Sequence, residues 1–453
     1  MTRHPPGFRG LLLALAALTA AVGLAVVIGV LLFWLVRTRL PDLPTYLLLV
    51  TIGLALLPML VLFRRRFPFL SDWYYLLPAT LFLLAFTVYP IVLTMGLAFT
   101  NFSGKNYGRP DRATETAVTF VAPATLRFTT DPRPALRCGD SCVGAQVEVY
   151  RGNERARATI AGEGPTALTL ERVPAFVPAP EDGQLYVAKV NNYHFIGVKN
   201  FAFILSNAST ALWPVFRWNV VFAAGSVILT ALMGLILGVV LNDSRLRFRN
   251  FYRTALIISW ALPNIITIQM WNALLNQQFG AVNRLLGLLG IYSIPWLTQT
   301  DWAKLGIVLV NLWLGFPFMM TATLGALSTI PNELYESAQI DGASPWQAFR
   351  GITLPLVRTA FTPVLLTSFA FNFNNFNLIY LILPQGGPAI PGGLATANST
   401  DILISWAYKT AFRAEGGSAY GLGSAIALII FVVTVGISLI NFNITGAFRE
   451  ERR

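Results

Sequence analysis

Eight apolar stretches, each long enough to cross a lipid bilayer as a helix, constrain this chain more than any other feature. They fall at 11–36, 44–63, 77–99, 219–241, 254–276, 304–327, 360–383 and 421–445. A spanning helix needs about 20 predominantly apolar residues. Every backbone N–H and C=O in hydrocarbon must be satisfied within such a segment, and a helix does this. Composition agrees: 55% of the 453 residues are hydrophobic, 12% are charged and the mean hydropathy is +0.59. The chain reads as an all-α polytopic membrane protein with about eight transmembrane helices, not as a row of soluble domains.

The formal net charge of +12 could suggest nucleic acid, but its distribution argues otherwise. Arginines cluster beside apolar spans: Arg64, Arg65 and Arg66; Arg245, Arg247, Arg249 and Arg253; Arg449, Arg452 and Arg453. Such clusters hold loops on the cytoplasmic side. With the N-terminus inside, eight spans return the C-terminus inside, and all three clusters and the 328–358 loop become cytoplasmic. Arg37 and Arg39 are the exception. The run from Gly10 to Val36 carries no charge. It is too long for a signal-peptide core and reads as an uncleaved first helix.

Residues 100–200, between the third and fourth spans, are different. From Lys105 to Lys189 they hold 11 basic and 10 acidic residues. Gln146-Val147-Glu148-Val149-Tyr150 and Ala167-Leu168-Thr169-Leu170 alternate polar with apolar and are bounded by Gly and Pro, as short strands are. This predicts a small β-rich extracytoplasmic domain inserted after helix 3. The chain then divides into 1–99 (helices 1–3), 100–200 (the insert) and 201–453 (helices 4–8). Cys138 and Cys142, four apart with no histidine beside them, make a poor zinc site, and no metal site is expected. Outside the cytoplasm a local disulfide is favoured over two free thiols.

No Asp, Glu, Lys, Arg or His lies in the middle of any span, which disfavours an ion-coupled carrier. Neutral polar residues do occur there, and they align. Ser368, Asn372 and Asn375 are spaced i, i+4, i+7, with Phe371 beside them. Asn311, Gly315 and Phe318 repeat that spacing, as do Trp260, Asn264 and Thr267, where Pro263 should bend the helix. Amides hydrogen-bond hydroxyls in both directions and rings stack on sugars, so a neutral sugar suits these faces. The competing reading is interhelical hydrogen bonding, assigned here to Asn374 and Asn377, off the common face. For Asn372 and Asn375 the residues alone leave both readings open. A membrane-bound glycosyltransferase or hydrolase would need carboxylates near the membrane face. Asp301, Asp401 and Glu415 share no motif, and no catalytic residue is assigned.

The segment from Glu333 to Pro355 separates the sixth and seventh spans. Glu336-Ser337-Ala338 is followed by Gly342, six residues after Glu336, and closes with Ile352-Thr353-Leu354-Pro355. This resembles the cytoplasmic EAA loop of permease subunits of bacterial ABC importers, with Ser337 for the middle alanine. The runs Ser368–Asn375, Asn311–Met320 and Asn276–Gly280 are similar to the maltose/maltodextrin permease subunits of that binding-protein-dependent family, over about residues 195 to 445.

The resemblance implies a type I importer permease fold in the bacterial cytoplasmic membrane, with both termini cytoplasmic. It implies import of maltose, maltodextrin or a related α-glucoside such as trehalose, with another neutral oligosaccharide as the alternative. Its sugar contacts carry over to Asn311, Leu314, Gly315, Ser368, Phe371, Asn372 and Asn375. Trp260 and Phe318 stand where the family has Tyr, and Asn264 where it has Ser. ATPase coupling carries over to Glu333, Glu336, Ala338, Asp341 and Gly342. The implied partners are a second permease subunit (MalG-like), an ATPase dimer (MalK-like) holding ATP and Mg, and an extracytoplasmic sugar-binding protein. The chain has no G-x-x-x-x-G-K-[ST] loop of its own, so no cofactor and no enzymatic activity are expected of it.

Overall fold

The computed structural model describes residues 8–39, 47–66, 79, 82–121, 124–172, 185–243, 245–383, 386–413 and 418–445. The chain divides into two units, Met1–Leu93 and Thr94–Arg453. In the first, α1 (Phe8–Arg39) packs against α2 (Leu47–Arg66). A side chain at Gly29 would meet the Ile52 Cα at 2.5 Å, and Thr51 Oγ1 donates to the Gly29 carbonyl at 2.9 Å. Small residues and a hydroxyl at the contact are what helix association in lipid requires, since apolar burial offers little drive there. Next, α3 (Tyr89–Leu97) leads into the second unit.

Among its described residues the insert forms six antiparallel strands: β1 (Thr116–Val121), β2 (Thr125–Arg127), β3 (Gln146–Arg151), β4 (Glu154–Glu163), β5 (Ala167–Leu170) and β6 (Leu185–Val190). They close, among the described residues, into a barrel in the order β1-β2-β5-β4-β3-β6, each strand paired on both sides. Val147 and Val149 point into its core with Leu126, Leu168 and Val187. Arg151 pairs with Glu154 across a two-residue turn whose Gly152 has φ 58°, the backbone such hairpins need. The short helix α4 (Pro132–Leu136) ends at Arg137, φ 52°, beside the Cys138–Cys142 disulfide, whose Cα atoms are 5.0 Å apart. Glu163 of β4 accepts from Ser141 Oγ at 2.9 Å and from the Cys142 N–H at 2.7 Å. The disulfide loop is thereby tied to the barrel wall.

The remaining helices are α5 (Lys199–Ser206), α6 (Trp213–Asn242), α7 (Arg249–Ala261), α8 (Asn264–Leu274), α9 (Ala281–Leu288), α10 (Thr300–Ser328), α11 (Asn332–Ile340), α12 (Pro345–Ala348), α13 (Leu354–Phe373), α14 (Phe376–Ile382), α15 (Leu403–Arg413) and α16 (Tyr420–Thr445). Among the described residues, four helical segments are long and apolar enough to cross a membrane: Ala208–Asn242, Thr300–Ser328, Pro345–Phe373 and Tyr420–Ile440. A helical, membrane-type core with a small β domain after the third apolar stretch agrees with the expected fold class.

Two expected spans differ. The fifth, 254–276, is two helices, because Leu262 takes an extended conformation (φ −75°, ψ 141°) ahead of Pro263. The proline ring disfavours a helical residue before it. The seventh, 360–383, stops at Asn374, and the 345–373 segment that precedes the stop begins well before residue 360.

Helices α6 and α10 run in the same direction and touch through three contacts one turn apart. Side chains added at Gly234 and Gly238 would collide with Met319 and Thr323, and one at Gly315 would meet Thr230 Cγ2 at 2.8 Å. Asn219, buried on α6, donates to the Phe373 carbonyl at 2.9 Å and accepts from the Leu403 N–H at 2.9 Å. One amide thus closes the end of α13 and opens α15.

Asp401 and Lys409 form a buried ion pair beneath Gly386. Asp401 also accepts from the Asn398 N–H at 2.7 Å and Ser405 Oγ at 2.8 Å. Gly386 has φ +79°, and a side chain there would meet Asp401 Oδ1 at 2.5 Å. Burial raises the Asp401 carboxyl to about 6, against the pull of Lys409. The carboxyl is easier to protonate folded than unfolded. Its contribution to stability is therefore full below its ordinary value of 3.8 and is lost as pH rises through about 6.

Lys409→Met leaves the buried Asp401 carboxyl without the ammonium that offsets its burial, and breaking a buried pair by removing one partner costs about 3–5 kcal/mol. The thermal-unfolding midpoint in detergent should fall clearly for Lys409→Met, and Asp401→Asn/Lys409→Met should recover most of the loss. Equal loss in both variants would contradict the pair's role.

Candidate functional site

A cavity of about 380 Å³ lies among α6, α7, α8, α10, α13 and α14. Trp260, Asn264, Asn311, Leu314, Gly315, Phe318, Ser368, Phe371, Asn372 and Asn375 all line it. Among the described residues no charged side chain does. Thr230, Ile268, Met319, Thr367, Asn377 and Leu378 also line it and are not expected from the sequence. Thr267, expected on the same face, instead donates its hydroxyl to the Pro263 carbonyl at 3.3 Å.

The break after Phe373 changes the geometry at Asn375. This residue does not continue the face of Ser368 and Asn372. It lies beyond the helix end, at φ −77° and ψ 70°, and caps α14 by accepting from the Leu378 N–H at 3.4 Å. Asparagine competes for backbone groups in this way, which is why it favours caps over helix interiors. The break also rotates the phase of α14, so Asn377, expected off the face, borders the cavity. Asn374 points away and donates to Thr434 Oγ1 of α16 at 3.3 Å, the interhelical role expected of it.

Three amides form a directed chain. Asn375 Nδ2 donates to Asn311 Oδ1 at 3.3 Å, Asn311 Nδ2 to Asn372 Oδ1 at 2.8 Å, and Asn372 Nδ2 to the Ser368 carbonyl at 2.9 Å. A primary amide has two N–H groups and two acceptor lone pairs. Each of the three therefore spends one donor and one acceptor and keeps one of each. The hydroxyls of Thr230 and Thr367 are committed to the backbone carbonyls of Ser226 and Pro363. Around the amides stand three rings. Trp260 and Phe318 have centroids 6.3 Å apart, and Phe371 is 68% exposed. The arrangement suits a neutral solute with hydroxyls on its rim and an apolar face.

A second surface lies on the 328–358 loop. Pro331 starts α11 and Gly342, φ +78°, ends it, with the Ala343 N–H returning to the Ala338 carbonyl at 2.9 Å. That six-to-one bond and the left-handed glycine form a Schellman close. Ser344 and Gln347 then make a reciprocal capping box for α12. Tyr335 anchors the loop, its hydroxyl 2.9 Å from Thr353 Oγ1. Glu333, Glu336, Asp341 and Gly342 are exposed and Ala338 is half-buried. Ile340 and Trp346 stand out at 86% and 67% exposure. Acidic groups with bare apolar side chains on a rigid turn fit a protein-docking knob.

Residues 203–445 match the family of binding-protein-dependent transport system inner membrane components. The galactooligosaccharides transport system permease protein GanP of Bacillus subtilis (strain 168) is 40% identical over 260 residues, 57% of this chain and 61% of that protein. The maltose/maltodextrin transport system permease protein MalF of Salmonella typhimurium is 39% identical over 252 residues, 55% of this chain and 49% of that protein. MalF of Vibrio vulnificus (strain YJ016) is 32% identical over 444 residues, 82% of this chain and 84% of that protein. The chain thus spans less than two thirds of the first two relatives.

Gly315→Ala presses on Thr230 Cγ2, a single methyl, and overpacking of this kind costs about 1–3 kcal/mol. Thr230→Ala in the same chain should restore stability. Gly234→Ala, which meets the Met319 backbone, should be more destabilising than Gly315→Ala and should not be rescued by Thr230→Ala. Unfolding midpoints of the four variants check this, and rescue of Gly234→Ala would contradict it.

Proposed function

The chain belongs to the binding-protein-dependent transport system inner membrane component family, and on that premise we propose that it is the sugar-handling permease subunit of an ATP-driven importer. The observation that carries this reading is the uncharged cavity in which three linked amides each keep one donor and one acceptor beside three rings. Its volume falls in the range of about 300–1,000 Å³ common for small-molecule sites. A free anion or cation would find no counter-charge there, whereas a sugar hydroxyl can both give to and take from each amide.

The substrate is maltose, maltodextrin or a related α-glucoside such as trehalose. The MalF likeness over most of the chain supports that choice. A different neutral oligosaccharide is the second reading, favoured by the identity to GanP. The loss of phenol hydroxyls relative to the family at Trp260 and Phe318 leaves stacking surface in place but moves hydrogen bonding onto the asparagines. Asn264 adds an amide at the N-terminal end of α8.

Energy comes from ATP and Mg on a separate pair of ATPase subunits. The α11–α12 turn docks onto them with Glu333 and Glu336 on its acidic face and Ile340 and Trp346 as apolar anchors. Gly342 sets the angle between the two helices. A second permease subunit completes the pathway, and a binding protein delivers sugar from outside, where the β-barrel faces it. In this orientation both chain termini are cytoplasmic.

Substrate handling and energy coupling are carried by different residues, so they should separate. A net hydrogen bond is worth about 0.5–1.5 kcal/mol, more when a buried partner is left unpaired. Asn372→Ala or Asn375→Ala should lower sugar uptake in proteoliposomes several-fold while binding-protein-stimulated ATP hydrolysis persists. Gly342→Val should abolish both while membrane insertion persists. A side chain there meets nothing within 4 Å, but the left-handed φ of +78° cannot be held by a β-branched residue without strain, so the angle between α11 and α12 is lost. Uptake at the wild-type rate in the asparagine variants would sink the sugar site. Coupled hydrolysis in Gly342→Val would sink the docking turn.

A further inference from the structure

A second cavity, of about 350 Å³, opens where the N-terminal parts of α6 and α10 meet the 389–399 loop, far along both helices from the 328–358 loop. Two cations border it, Arg217 of α6 and Lys304 of α10. Among the described residues neither forms an ion pair within 4.0 Å. Asp301, one turn before Lys304, is exposed and lies beyond that distance. Lys304 is half-buried, with its ammonium 5.2 Å from the centroid of the buried Trp218 ring. The Thr300 and Ser399 hydroxyls border the same space and bond to one another at 3.3 Å. The rest of the wall is apolar, including Val221 and Ile390.

Two like charges converging on one cavity repel, and half-burial of an ammonium adds a desolvation cost. Both terms are relieved by an anion between them. The hydroxyl pair supplies further donors, so a phosphate group matches the chemistry. The level along the helices decides its source. Trp213 and Trp302, at 60% and 37% exposure, stand at the same ends of α6 and α10, and tryptophans gather at the membrane–water boundary. Beside that boundary, apolar walls accept a glycerol backbone and the start of an acyl chain, which a free phosphate lacks.

We propose that the Arg217–Lys304 cavity is a binding site for the headgroup phosphate of an anionic phospholipid. Such a lipid would clamp the α6–α10 pair to the 389–399 loop. The inference rests on the membrane-spanning character of the two helices and is independent of the sugar cavity, which has no lining residue in common with it.

The test is native mass spectrometry of the full chain purified with its partner subunits from nanodiscs of mixed phosphatidylglycerol and phosphatidylcholine. Wild type should retain phosphatidylglycerol through delipidation in preference to phosphatidylcholine. Arg217→Gln/Lys304→Gln should retain about tenfold less, since each basic group near a membrane surface contributes to anionic-lipid binding. Arg217→Lys/Lys304→Arg keeps both charges and should retain it, as should Arg245→Gln/Arg247→Gln, which alters a basic cluster elsewhere. Equal retention by wild type and the double glutamine variant overturns the site, as does equal loss in the Arg245/Arg247 variant. Excess inorganic phosphate should leave the lipid bound. If phosphate binds in its place and wild type shows no preference between the lipids, the site takes a free anion and the lipid assignment fails. Uptake is not read, so failure here leaves the transport proposal untouched and failure there leaves this one.

Discussion

Helices α6 and α10 meet backbone to backbone because glycine stands at the crossing points. Gly234 faces Met319, Gly238 faces Thr323 and Gly315 faces Thr230. In lipid the hydrophobic effect does not drive one apolar helix onto another, so close van der Waals packing and hydrogen bonds must do so. The glycines allow the approach, and the threonine hydroxyls are silenced by bonding carbonyls one turn back, as Thr230 and Thr323 do. This pair forms the fixed wall against which α13 and α14 are set. It also fixes where Asn311 points, since Asn311 lies one turn before Gly315 on the same helix.

From that wall the amide chain runs across the cavity. Interhelical glue and solute binding are rivals only when the asparagines are considered one at a time. The geometry leaves room for both in one arrangement. Asn311 joins α10 to Asn372 of α13 and to Asn375 at the cap of α14, and the unspent half of each amide is available to a solute. A bifunctional group of this kind holds its own position through one set of bonds while presenting the other, which is how a binding site is preorganised. The helix break after Phe373 is the local cost, stabilised by Asn219 on its carbonyl end and by Asn375 on the next N-terminus.

The cavity residues are legible in the sequence because polar groups are conspicuous in apolar spans. Spacing alone aligns Asn311 with Gly315 and Ser368 with Asn372 on their helix faces, and it is the family resemblance that singles these faces out over interhelical hydrogen bonding. What spacing cannot show is where the helix stops. A 3.6-residue period carried through Asn374 puts Asn375 on a face it does not share and turns Asn377 away from a cavity it borders. Pro263 reads as a bend in one helix and instead separates two, with Leu262 extended before it. In the insert, alternation identifies strands but not their closure, since strand order depends on non-local pairing. The Asp401–Lys409 pair is equally hidden: a carboxylate in a loop and a lysine on an amphipathic helix carry no signature until the loop folds over them.

The proposed place of a neutral sugar among the three amides and three rings is tested most directly by cryo-electron microscopy of the chain assembled with its proposed partner subunits, trapped with sugar and a non-hydrolysable nucleotide. Sugar density is expected within hydrogen-bond reach of Asn311, Asn372 and Asn375, with a ring of Trp260, Phe318 or Phe371 against its apolar face. Sugar density elsewhere in the pathway, with this cavity empty of solute, would contradict it.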